Sequence, residues 1–242
     1  MGKNIEKLKE IINNSKNIVV FTGAGISVPS GIPDFRSSNG LYSEKIKGNI
    51  SPETVVSHDF FMLLPDEFYN FYKSKMIYKN AKPNIAHKFF AELEKQGKVS
   101  VVITQNIDGL HQLAGSKNVL ELHGNIYRNF CTKCHKVFDL DYILNSSGVP
   151  KCDKCGGVIK PDVVLYGEML DGNVVSSAIK AIQNADTLIV VGTSLVVQPA
   201  ASFVQMFKGE NLVLINKSKT PLDALATLVI NDDIEKVINK IM

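Results

Sequence analysis

Apolar residues first recur at helical spacing. Ile5, Leu8, Ile11 and Ile12 fall on one face of an amphipathic helix expected over residues 4–14. The pattern then changes to an unbroken β-branched run at residues 17–22, which suits a strand buried on both faces. Runs of the same kind occupy residues 99–104, 119–122, 187–191 and 211–215, and a sixth lies at 226–230. Helical patterns fill 86–96, 174–184, 200–208 and 233–242. Strand alternating with helix predicts an α/β fold, a parallel sheet with helices on both faces. Such sheets bind ligands beyond the carboxyl ends of their strands. The loops there hold Gly23–Ser27, residues 105–108, His123 and residues 192–194, so polar positions far apart in sequence are expected to share one edge.

Two segments break the alternation. Residues 37–80 carry an aromatic-rich helical stretch at 60–78, and residues 125–160 hold all four cysteines among turn-formers. They are expected to form one smaller module beside the sheet. Cys131 and Cys134, then Cys152 and Cys155, make two Cys-x2-Cys knuckles with seventeen residues between them. Four thiolates so arranged close a tetrahedral Zn²⁺ site that leaves no position for substrate, hence a structural one. Disulfides fit poorly, because no secretory leader precedes the first helix.

Glycine at 23 and 25, directly after the first strand, lets backbone approach a pyrophosphate, with amides and a helix N-terminus supplying the positive field. Position 28 is Val where a dinucleotide fingerprint has its third glycine, which weakens a dehydrogenase reading. The continuation Gly31-Ile-Pro-Asp-Phe-Arg36 adds a carboxylate, an aromatic ring and one of only two arginines among 27 basic residues.

Composition narrows this little further. Apolar residues are 45% and charged residues 21% of 242, ordinary for a globular chain. The net charge of +3 is spread along the chain, which does not suit a nucleic-acid binder. The apolar runs are too short to cross a bilayer, and a cytoplasmic monomer is expected.

Taken together, residues 23–27, 31–36, Thr104-Gln-Asn-Ile-Asp-Gly-Leu-His111, Leu122-His-Gly124, Val164-Leu-Tyr-Gly-Glu168, the stretch 192–200 and the cysteine spacing resemble the sirtuin family, in its small prokaryotic form. The resemblance spans nearly the whole chain. It implies a Rossmann-like NAD-binding domain (1–36, 81–124 and 161–242) with a smaller inserted domain (37–80 and 125–160), a helical module plus zinc ribbon. It implies NAD as co-substrate, one structural Zn²⁺, and acyl-lysine peptides or proteins as partners. Gly23, Ala24 and Gly25 would then hold the pyrophosphate, and Asp34, Phe35 and Arg36 would lie over the nicotinamide ribose. Gln105 and Asn106 would hold the ribose and phosphate region, while Ile107 and Asp108 receive the nicotinamide carboxamide. Gly192, Thr193, Ser194 and Asn216 would grip the adenosine half, with Lys217 and Asp233 framing adenine. Val164, Leu165, Tyr166, Gly167 and Glu168 on one side, and Leu195, Val196 and Val197 on the other, would clamp the peptide.

The implied chemistry is removal of an acyl group from lysine, yielding nicotinamide, O-acyl-ADP-ribose and free lysine. His123, Asn106 and Asp108 form the catalytic set, and His123 acts as base on a ribose hydroxyl once nicotinamide has left. Of the other histidines, His111 is expected to support its own loop. His58 and His87 sit in helical patterns as packed or solvated residues, and His135 belongs to the zinc knuckle. Members that remove dicarboxylic acyl groups carry a Tyr-x-x-Arg pair. Here Tyr69 fits the tyrosine but Tyr72 stands where the arginine would be, and residues 37–127 contain no arginine, so apolar acyl groups are expected. Rival readings are protein mono-ADP-ribosyl transfer and a non-catalytic zinc-ribbon binding protein.

Overall fold

The computed structural model describes residues 2–35, 40 and 50–242. Arg36 and the stretches 37–39 and 41–49 lie outside the described residues. The chain opens with α1 (Gly2–Asn14), whose buried residues are the four of the expected stripe, and β1 (Ile18–Thr22), buried along its whole length. Short helices α2 (Pro52–Val55), α3 (His58–Leu63) and α4 (Pro65–Phe71) follow, then α5 (Ile85–Lys95), β2 (Val99–Thr104), α6 (Leu110–Ala114) and β3 (Val119–Glu121). Next come β4 (Gly124–Cys131), β5 (Val137–Phe138), α7 (Leu140–Asn145) and β6 (Ile159–Val163). The chain ends with α8 (Gly172–Asn184), β7 (Thr187–Val191), α9 (Ala200–Val204), β8 (Asn211–Ile215), β9 (Leu228–Ile230) and α10 (Ile234–Ile241).

Six strands pair in the order β3-β2-β1-β7-β8-β9, every described pairing parallel. Counted by appearance within this sheet the order is 3-2-1-4-5-6, the doubly wound arrangement whose ligand crevice opens where the winding reverses. That point lies between β1 and β7. Alternate residues of β1 serve opposite cores: Ile18 and Val20 pack with α1, α5 and α10, whereas Val19 and Phe21 pack with α8 and α9. Two buried faces explain why the strand shows no polar alternation.

The two interruptions share a third core. Phe61, Phe68, Tyr69 and Tyr72 from the helical stretch pack with Ile126, Phe138, Leu140, Ile143 and Ile159 around the antiparallel sheet β5-β4-β6. The boundary expected at residue 160 falls inside β6. The helical stretch is not continuous: Pro65 restarts the chain after Leu64, and a wide π-turn, Tyr72–Met76, ends it. Mid-chain π-turns commonly mark functional positions, and this one delivers Lys75 and Met76 to the cleft described next.

Candidate active site

A cleft of about 970 Å³ runs from the β1–β7 crossover to the small sheet. That size suits a ligand larger than a mononucleotide. At its floor the glycine turn packs on the turn after β7. Gly23 N–H donates to Val191 O (3.1 Å) and Gly25 N–H to Gly192 O (2.7 Å). A Cβ on Gly25 would stand 2.7 Å from Gly192 Cα, and one on Gly192, at φ +60°, would stand 2.4 Å from Ile26 N. The glycines therefore permit backbone-on-backbone contact across the crossover.

No α-helix starts behind this turn. Two single 3₁₀ turns, Ala24–Ile26 and Val28–Ser30, occupy its place, because Pro29 and a left-handed Gly31 interrupt the chain. Among the described residues, the helix N-terminus expected to face phosphate is thus absent. The loop's positive field comes from local amides, of which Ala24 N–H has no internal acceptor among the described residues. Gly192→Ala should lower the unfolding midpoint by about 4 °C or more, since a left-handed Cβ costs about 1–2 kcal/mol before any clash. It should also abolish the thermal shift given by NAD. An unchanged shift in differential scanning fluorimetry would show that the crossover is not the nucleotide site.

Thr22 and Thr104, ending β1 and β2, share a buried hydrogen bond of 2.9 Å. Thr104 Oγ1 also accepts from Asn106 N–H (3.0 Å), which turns the 105–108 loop into the cleft. Gln105 donates to Thr193 Oγ1 (3.1 Å), bridging the crossover. Asn106 Nδ2 donates to Gly23 O (3.2 Å) and Ser27 Oγ (3.1 Å). Ser27 in turn donates to Asp108 Oδ2 (2.7 Å), whose other oxygen accepts from Leu110 N–H (2.9 Å). Burial pushes the Asp108 carboxyl above its ordinary range, against these hydrogen bonds, which favour the charged form.

His123 follows β3 at the cleft wall. Its Nδ1 lies 2.9 Å from Gln105 O. A carbonyl only accepts, so Nδ1 carries the proton and Nε2 keeps its lone pair. Burial lowers the His123 pKa, partly offset by that carbonyl. Gly124 follows His123, at φ +77°. It admits Asp162 O, which a Cβ would approach to 2.0 Å.

The small sheet supplies the opposite wall. His123 O accepts from Val164 N–H (3.0 Å), tying the histidine to residues 164–168, all of which line the cleft. This segment is not a regular strand. It is extended at Tyr166, which pairs with Ser57, and turns at Gly167. Glu168 holds it: its carboxylate accepts from Leu165 N–H, His58 Nδ1 and Lys160 Nζ, each at 2.9 Å. Burial raises the Glu168 pKa, but these donors hold it net below the carboxylate range. Across the cleft Leu195 turns its side chain into the core and Val196 faces solvent. Of residues 195–197 only Val197 lines the cavity, so a peptide would meet backbone at the other two.

The remaining expected residues divide as follows. Asp34, Phe35, Ile107, Gly192, Ser194 and Asn216 line the cleft. Lys217 and Asp233 do too, as an ion pair of 2.8 Å, and Asp233 also caps α10. Arg128 stands outside the cleft and clamps the two sheets, pairing with Glu121 and Asp162 at 2.8 Å each. Sequence reasoning missed Ser27, His58, Lys75, Met76, Ile126, Lys160 and Val163. Ser27 lies in the glycine motif, Lys75 and Met76 in the helical stretch at 60–78 and His58 in a helical pattern, but none of these patterns says which side chain reaches the site.

The four cysteine Sγ atoms lie within 4.8 Å of one another. Cys131–Cys155 at 3.4 Å and Cys134–Cys152 at 3.6 Å are too far apart for S–S bonds of about 2.05 Å. They match the roughly 3.8 Å edge of a thiolate tetrahedron with Zn–S bonds of about 2.3 Å. All four positions fit Zn²⁺.

Comparison with known proteins agrees with this geometry. The family model described as Sir2 matches residues 23–199. An NAD-dependent protein deacetylase of Clostridium perfringens is 61% identical over 243 residues, covering 100% of both chains. One from Clostridium acetobutylicum is 56% identical over 98% of each. A solved Sir2 structure with deacetylated peptide and 3′-O-acetyl-ADP-ribose has a TM-score of 0.92 at 42% identity, covering 98% of this chain and 97% of that one. Another, bound to a propionylated peptide, has a TM-score of 0.88 at 42% identity with the same coverage. A doubly wound sheet, a zinc-ready insertion and a histidine-walled cleft, joined to a match over residues 23–199, make this chain a member of the Sir2, or sirtuin, family.

Proposed function

We propose that the chain is an NAD-dependent protein lysine deacylase acting on acyl-lysine proteins, in the cytoplasm and as a monomer, with no nucleic-acid partner. The observation that carries this reading is the His123 tautomer: Nδ1–H is held by Gln105 O, so the second nitrogen is a free base at the wall of a cleft that also holds Asn106 and Asp108. The NAD-binding domain is the parallel sheet with its helices, and the smaller domain holds α2–α4 and β4–β6, its second segment running to the end of β6 at Val163.

In this reading Ala24 N–H and the glycine turn receive the pyrophosphate, and Ile107 and Asp108 orient the carboxamide. Asp34 and Phe35 cover the nicotinamide ribose. Thr193, Ser194 and Asn216 hold the adenosine end, with the Lys217–Asp233 pair beside adenine. Negative charge at Asp34 and Asp108 favours departure of nicotinamide, which leaves positive character at the ribose carbon. Residues 164–168 and the 195–197 backbone hold the peptide so that its acyl oxygen meets that carbon, an oriented encounter. His123 Nε2 then removes a ribose hydroxyl proton, the freed oxygen attacks the acyl carbon, and water completes the reaction as the lysine nitrogen leaves, releasing free lysine and O-acyl-ADP-ribose. Zn²⁺ on Cys131, Cys134, Cys152 and Cys155 organises the small sheet and takes no part in the reaction. Nicotinamide release from NAD, dependent on an acetyl-lysine peptide and accompanied by O-acetyl-ADP-ribose in mass spectrometry, tests this. ADP-ribosylated protein as the main product would favour the transferase instead.

The acyl end of the cleft is apolar, with Met76, Ile107, Ile126, Val163 and Leu165 on its walls. Tyr69 is buried and its hydroxyl donates to Ile159 O, while Tyr72 lies fully buried in the same core. Neither offers a guanidinium, and a lysine such as Lys75 on the cleft wall supplies charge without the planar fork that binds a carboxylate bidentately. Acetyl-lysine peptide is therefore expected to exceed the succinyl form in kcat/KM by about a hundredfold. Equal turnover of the two peptides would reverse this assignment.

A further inference from the structure

Behind the cleft, out of contact with its space, two more histidines meet. His87 on α5 and His111 on α6 are 0% and 1% exposed, with ring centroids 4.9 Å apart and edges to faces. Burial pushes His87 down to about 4 and His111 to about 3, so both are neutral at working pH. Their Nδ1 atoms have no partner among the described residues. An apolar pair would fill this space without two stranded acceptors, so the other nitrogens deserve the explanation.

Proton counting assigns them. Ser27 has one hydroxyl hydrogen, and it goes to the Asp108 carboxylate, which can only accept. Ser27 Oγ must therefore accept from its other neighbours, Asn106 Nδ2 at 3.1 Å and His87 Nε2 at 3.5 Å. His87 is then the Nε2–H tautomer. Thr22 Oγ1 likewise donates to Thr104, so His111 Nε2, 3.0 Å away, donates to Thr22. The two rings thus hold both sides of one network. His111 steadies Thr22 and Thr104, on which Asn106 turns, and His87 reaches Ser27, which holds Asp108. The His87–Ser27 contact is long here, as polar contacts often are before ligand binds.

We propose that His87, backed by His111, is a positioning residue for the nicotinamide end of the cleft. Its Nε2–H keeps the Ser27 hydroxyl turned toward Asp108, and so fixes the carboxylate that accepts the carboxamide N–H. This rests on the NAD reading above. It predicts an effect on nicotinamide that spares ligands lacking a carboxamide.

The test compares nicotinamide inhibition of peptide deacetylation with ADP-ribose binding by calorimetry. His87→Leu is expected to weaken nicotinamide inhibition about fivefold, the worth of one neutral hydrogen bond, with ADP-ribose affinity within about twofold of wild type. His87→Gln, whose amide N–H can reach Ser27, should restore inhibition. Ser27→Ala, a small change that tests the same link if His87→Leu does not fold, should reproduce the fivefold loss. Unchanged nicotinamide inhibition in Ser27→Ala or His87→Leu overturns the proposal. So does equal weakening of both ligands with no rescue by glutamine, which would mark a packing role alone. If wild-type protein released no nicotinamide from NAD, the deacylase reading itself would fall, a result separate from any of these.

Discussion

His123→Ala is expected to reduce deacetylation by about 10²–10⁴-fold, the usual contribution of a positioned general base. Nicotinamide–NAD exchange should fall much less. The difference follows from where Nε2 acts. Asp108, Asn106 and the glycine turn complete the nicotinamide end without His123, since their hydrogen bonds run through Ser27, Thr104 and Gly23. Proton removal from the ribose is needed only after that bond has broken. Radiolabelled nicotinamide exchange beside peptide deacetylation measures both, and equal loss in the two assays would refute this division of labour. Folding should be spared, because His123 is only partly buried and, among the described residues, its side chain hydrogen-bonds only to Gln105 O.

The same residue sets the acid limit of activity. A base must be neutral to act, and burial holds the His123 pKa below its ordinary value near 6.5. Lowering of a histidine pKa extends the neutral form to more acid pH. The acid limb of kcat/KM should therefore fall below pH 6.5, and should vanish from the residual activity of His123→Ala.

The parts of this structure legible in sequence are those whose cause is local. β1 and β7 are buried on both faces, so their β-branched runs are uninterrupted and easily read. The cysteine knuckles were equally plain, because metal geometry dictates short spacings. The family motifs carried the cleft residues with them, and every described residue among those expected there lines it except Leu195 and Val196. What escaped depends on partners distant in the chain. His58 meets Glu168 across 110 residues, and Lys160 is buried beside the same carboxylate. Nothing in the helical pattern around His58 announces that contact. The missing helix behind Gly25 escaped differently. Val28 was read as a lost glycine, but Pro29 and Gly31 had already made continuation as an α-helix unfavourable. Gly124 escaped for a related reason: the Asp162 O that it admits comes from a strand 38 residues further along the chain.

Cys152→Ser is expected to have the largest effect on stability. Cys131 and Cys152 are buried and belong to the same core as Phe61, Phe68, Tyr69, Ile143 and Ile159. The knuckle amides already point inward: Lys133 and Cys134 N–H lie 3.4 and 3.5 Å from Cys131 Sγ, as suits a thiolate. Zinc at such a site contributes on the order of 10 kcal/mol, comparable with the whole stability of an ordinary domain. Its loss should therefore unfold the small module, while the parallel sheet, with cores on both faces, stays folded. Two consequences separate this from general destabilisation. Hydrogen exchange should accelerate across β4–β6 and α3–α4 but remain slow in β1, β2, β7 and β8. Deacetylation should fail through loss of peptide binding, because residues 164–168 hang from Lys160 and His58, whereas ADP-ribose should still bind the crossover. Atomic absorption should give one zinc per wild-type chain and none in the variant. A Cys152→Ser protein that kept its zinc, its exchange protection and its activity would show that the four thiols do not organise this half of the cleft.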